Sequence, residues 1–167
     1  MILGQLWESL QASSLGTFIA ESAWAFPTLE SLHVIAIVTV VGTVAVMDLR
    51  LLGLTSRDYA VTVMSRDTLT WTWVSFVLAA ITGLLLFTSK ATSYMVNPYF
   101  LAKMAMLILA GLNMAVFHLI TWRTVKEWDT SPVMPTGAKI AGALSLFFWV
   151  LVIFFGRSIG FTLGIYE

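Results

Sequence analysis

Four stretches of this chain carry no Asp, Glu, Lys or Arg: residues 31–47, 68–89, 104–122 and 140–156, of 17, 22, 19 and 17 residues. A helix needs about 20 mainly apolar residues to cross a bilayer, with about 17–25 tolerated. The pattern therefore predicts four spans, which with their flanks run over about 28–53, 69–89, 99–123 and 138–160. Upstream the pattern changes. Leu3, Leu6, Trp7 and Leu10 recur at helical spacing, and Leu15, Phe18 and Ile19 do so again after Ser13 and Ser14. That spacing predicts two short amphipathic helices lying along the membrane surface. The expected fold is all-α, an integral membrane four-helix bundle over 27–167 preceded by an amphipathic outer-surface segment over 1–26.

Punctuation agrees with these bounds. Pro27 suits the first turn of span one, and Asn97 followed by Pro98 suits the start of span three. Ser131 with Pro132, and Pro135 with Gly137, break the chain before span four. Lipid gives helices no hydrophobic reason to associate, so small residues must let them approach. Ala79 with Gly83, Gly111 with Ala115, and Ala141 with Ser145 supply such pairs, and Gly156, Gly160 and Gly164 form a glycine line at the end of span four. Trp71, Trp73, Trp122 and Trp128 fall at one boundary, where interfacial anchors belong.

Composition changes the picture only by exclusion. Hydrophobic residues make up 59%, charged residues 11%, and mean hydropathy is +0.90, so the natural partner is the lipid bilayer and not water. The formal net charge is zero and there is no basic tract, which argues against nucleic acid. With no cysteine there is no disulfide framework and no thiolate metal site. Basic residues set orientation. Arg50, Arg57, Arg66, Arg123, Lys126 and Lys139 flank the first and third loops, against Lys90, Lys103 and Arg157 on the other side. The positive-inside rule then places both termini outside, periplasmic if the membrane is the bacterial cytoplasmic (inner) membrane.

Candidate chemistry comes from polar groups at membrane depth, which are expensive there. The two histidines, His33 and His118, lie in spans one and three. Helices of a bundle can hold a haem iron by axial imidazoles. Spans one and three run in the same direction, however, and at 1.5 Å per residue the two rings lie about 20 Å apart along the membrane normal. One shared iron would need a large slip. Two His/Met haems b would not: His33 and Met47, like Met104 and His118, are 14 residues apart, which returns a helix to within about 40° of the same face. Met104 then lies near the depth of His33, and Met47 near that of His118. Lys103 and Arg157 outside, and Arg50 and Arg123 inside, would meet propionates. The other readings of these groups are a proton site or quinone contact at Glu30 and His33, a salt-bridged interfacial anchor at Asp48 and Arg50, and an interhelical donor at Asn113. No phosphate-cradling glycine loop, nucleophile elbow or paired metal-binding histidine motif is present in the sequence.

The runs ESAWAFPTLESLH at 21–33, MDLRLLG at 47–53, TWTW at 70–73, TGLLLF at 82–87, NPYFLAK at 97–103 and AGLNMAVFH at 110–118, together with Gly156 and Arg157, resemble a family of small bacterial four-span membrane proteins of unknown function. More distantly, a histidine in span one and another in span three is similar to the copper-resistance protein D type and the four-helix protoporphyrinogen oxidase type. That similarity implies haem association. The functional expectation is haem- or quinone-linked electron transfer through His33 and His118. The alternatives are an accessory subunit of a larger membrane complex, packing through its small-residue faces, and a small oligomeric transporter.

Overall fold

The computed structural model describes residues 2–166, with the side chains of residues 2 and 3 outside the description, Leu3 of the first apolar pattern among them. Its helices are α1 (Ile2–Gln11), α2 (Ser14–Glu21), α3 (Ala25–Leu51), α4 (Val61–Ser89), α5 (Ala91–Val96), α6 (Pro98–Leu119), α7 (Val125–Trp128) and α8 (Thr136–Thr162), with a 3-10 turn over Thr121–Thr124. Four helices are long and apolar enough to cross a membrane: α3, α4, α6 with its short continuation to Trp128, and α8. The protein is a multi-pass membrane protein in contact with lipid. At 1.5 Å per residue, the 27 residues of α3 extend about 40 Å, longer than a hydrocarbon core of about 30 Å. The predicted 28–53 therefore begins late and ends slightly beyond the helix, while α4 starts eight residues before the predicted 69.

Helix ends are set by local chemistry. Asn97 is fully buried, and its Oδ1 accepts from the amides of Tyr99 at 2.9 Å and Phe100 at 3.3 Å, ahead of Pro98 in the first position of α6. Its Nδ2 donates to Thr162 Oγ1 on α8 at 3.0 Å, so one side chain caps a helix and ties two spans. Pro27 sits in the first turn of α3, where no intrahelical acceptor waits for an amide. The start of α4 is capped from another loop: Asp129 accepts from the Thr62 amide and hydroxyl, both at 2.8 Å.

The spans pair in sequence, α3 with α4 and α6 with α8, and the pairs join along α3 and α8. α4 and α6 make no extensive contact, so the bundle is open along one side. Gly142 brings α8 onto α3, since a Cβ there would lie 3.0 Å from the Asp48 carbonyl oxygen. The loops bearing Arg57, Asp58 and Asp129 gather at one end, called here the basic end. The amphipathic helices dock at the opposite end. Trp7 meets Phe87 edge-on at 5.7 Å, and Gln11 Oε1 accepts from the Thr92 hydroxyl at 2.8 Å. Ile19 is buried on that side, while Leu6, Leu15 and Phe18 remain exposed, which leaves an apolar face for the interface.

Two expectations need correction. Trp128 is buried and donates from its indole to Thr124 Oγ1 at 3.1 Å, so it packs the basic end and does not anchor in lipid. Of the glycine line, only Gly156 meets a neighbour, the Lys103 side chain, while Gly160 and Gly164 face open space.

Candidate functional site

The structure keeps the two histidines apart. His33 on α3 turns to α4, where its Nδ1 lies 3.0 Å from Thr82 Oγ1. The Thr82 hydroxyl already donates to the Leu78 carbonyl at 2.7 Å, so the imidazole must be the donor and Nε2 is left as an acceptor. Gly83 makes room for the ring, because a Cβ there would stand 2.9 Å from His33 Cε1. Glu30 is exposed and forms no pair with His33 among the described residues. The Lys103 side chain crosses Gly156, within electrostatic reach of His33. Arg157 lies over the Phe161 ring at 4.5 Å.

His118 occupies the other half of the bundle. Its Nδ1 lies 2.9 Å from the Met114 carbonyl, which can only accept, so Nδ1 carries the proton and Nε2 has a free lone pair. The ring packs on Trp122 at 5.6 Å and against the edge of Phe117 at 5.3 Å. Together these groups line a half-open cavity of about 200 Å³ toward the basic end. All four spans contribute: Met47 and Asp48 from α3, Thr72 and Trp73 from α4, Asn113 and His118 from α6, Ser145 and Trp149 from α8. The cavity lies where α4 and α6 fail to pack, which gives it a lateral route from lipid.

A haem at this place would need an axial pair and partners for its propionates. His118 and Met47 share the cavity, as an axial pair would require. The expected propionate partners do not. Arg50 is fully buried and points into the loops, donating from Nε to the Tyr59 carbonyl at 2.9 Å, from Nη2 to the Ser131 carbonyl at 3.3 Å, and from Nη1 to Met134 Sδ at 3.3 Å. Arg123 is exposed and lies outside the lining. The cavity instead carries an acid, and its volume is below the roughly 300–1,000 Å³ of drug-sized sites. These residues do not fit a haem. His33 and Met104 lie outside this cavity, so the outer half of the expected pair has no comparable seat there.

Asp48 is the acid of this lining, and its surroundings differ from those expected. It is 5% exposed, and its Oδ2 is enclosed with no hydrogen-bond partner. The expected Asp48–Arg50 anchor does not form, because residues two apart on a helix point away from each other. Among the described residues the recorded salt bridge is Arg66 with Asp67, at 3.8 Å on the surface. No group of three or more His, Cys, Asp or Glu side chains poised for a metal occurs among the described residues. Asn113 does what its position suggested, donating to the Ala141 carbonyl across α6 and α8 at 2.9 Å.

Residues 7–162 match the model of a family described as a family of unknown function, DUF6644. No curated protein and no solved structure matches the chain.

Proposed function

We propose, for a chain that belongs to the family of unknown function DUF6644, that it binds a lipid-borne quinol in the lateral cavity and serves membrane electron transfer there. The single observation behind this reading is His118: its Nδ1 is committed to the Met114 carbonyl, so Nε2 offers an acceptor to a cavity reached from lipid. A bound quinol would supply two O–H donors, and on oxidation its two electrons would pass to a metal redox centre of a partner membrane complex. His118 Nε2 takes one hydrogen bond and lies on the path of that proton. Trp122 and Phe117 hold the imidazole plane, and the gap between α4 and α6 gives an isoprenoid tail an exit into the bilayer.

The reading also keeps the orientation expected from the basic residues, with the cavity toward the cytoplasmic face of a bacterial inner membrane. Titration of the purified protein with a short-chain quinol tests it, because Trp73, Trp122 and Trp149 line the site and report binding by fluorescence. His118→Ala is expected to weaken binding by several-fold up to about tenfold, as loss of a neutral hydrogen bond does at about 0.5–1.5 kcal/mol. Equal affinity in wild type and His118→Ala overturns the proposal.

A further inference from the structure

The acid in the cavity is not explained by quinol binding through His118. Asp48 is buried, its Oδ2 has no partner, and the nearest basic side chain in sequence, Arg50, spends its donors on two loop carbonyls and a thioether. A buried carboxylate with an unpartnered oxygen is costly unless it keeps its proton or meets a positive charge, and within a membrane such a group marks a proton or ligand site. Ser145 bonds to it, and the other polar groups that share its cavity narrow the choice. From α8 comes Ser145, a neutral hydroxyl; from α6, His118 and Asn113; from α4, Thr68 and Thr72. No lysine or arginine lines the cavity.

Apart from the hydroxyls of Thr43 and Ser65, the remainder of the lining is apolar and aromatic. Trp73, Phe76, Phe117, Trp122 and Trp149 surround the space, and aromatic faces attract cations that have shed water. A strongly hydrated inorganic ion would find a single carboxylate in this lining and no second acid beside it. A hydrophobic organic cation would find a counter-charge, aromatic walls, a volume of about 200 Å³ and a lateral entrance from lipid.

We infer that the cavity between the four spans is a binding site for a hydrophobic organic monocation, an aromatic or quaternary ammonium compound, with Asp48 as its counter-ion. This goes beyond the quinol reading and does not rest on it. Binding needs no covalent or redox step: the ammonium sits beside the carboxylate, and the apolar part displaces lipid from the aromatic walls.

The probe is benzyltrimethylammonium, titrated into the full-length protein in nanodiscs of neutral lipid with tryptophan fluorescence as the signal. Its neutral isostere neopentylbenzene has the same shape without the charge. The expected result is saturable binding of the cation, at least tenfold stronger than the isostere and at least tenfold weaker in Asp48→Asn. The isostere comparison is made on the wild-type chain, so it decides the matter even where Asp48→Asn fails to fold. Equal binding of cation and isostere, or unchanged cation binding in a folded Asp48→Asn, overturns the inference and leaves a merely apolar cavity. A short-chain quinol titrated in parallel separates the two readings: cation binding without quinol binding defeats only the quinol proposal, and quinol binding without cation binding defeats only this one.

Discussion

Single residues carry information in this protein chiefly through what stands next to them. His33 was visible in the sequence as an intramembrane imidazole, but its seat was not: Thr82 fixes its tautomer, and Gly83 supplies the gap its ring fills. Gly83→Ala would drive a methyl to 2.9 Å of His33 Cε1. The expected outcome is a loss of about 1–3 kcal/mol, the usual range for overpacking, read as a lower melting temperature in detergent. The double substitution with His33→Ala should recover most of that loss, because the clash needs both partners. An additive double mutant would show that the contact is not the cause. Asp48 illustrates the opposite case, a residue whose type and position were plain and whose partnership was misjudged. A neighbour two residues along a helix lies on another face, so Arg50 was never available to it.

At the level of elements, the spans followed from pattern, and the connections did not. Asp129 caps α4 from a loop some 67 positions away in sequence, and Arg50 binds carbonyls in both loops of the basic end. Hydrogen bonds from a charged donor contribute about 1.5–3 kcal/mol each. Arg50→Met, which keeps much of the volume, is therefore expected to lower stability by about that amount or more. It should also speed proteolysis of residues 52–60, since that loop loses its tie to the bundle. Unchanged cleavage in the variant would remove Arg50 from this role. Just outside the spans, Tyr94 on α5 has its phenol pushed above the ordinary value by burial, then by Glu30, and it packs with Phe87 and Phe100 at 5.9 Å and 5.2 Å. This end of the molecule is held by aromatic packing, the basic end by hydrogen bonds to loop backbone.

For the molecule as a whole, the loops rich in arginine and lysine give an expectation for orientation, both termini outside. The prediction is that alkaline phosphatase fused after residue 166 is active, and that a green fluorescent protein fused there is dark, in a bacterial host. A fluorescent, phosphatase-inactive fusion would invert the topology and place the cavity toward the outside. Amino-acid order alone determined the class, the count of spans, the amphipathic leader and the start of α6, because solvent preference and capping act locally and bilayer thickness fixes helix length. It also marked both histidines, since an imidazole among apolar neighbours stands out one residue at a time. Tertiary structure decided the rest. Which helix pairs pack, where α4 and α6 part, which cations are spent on loop carbonyls and which acid is left facing a cavity all depend on the rotation of one span against another. That rotation is set by contacts between residues distant in sequence, such as Gly142 against Asp48 and Asn97 with Thr162, and helices apolar on every face carry little periodic record of it.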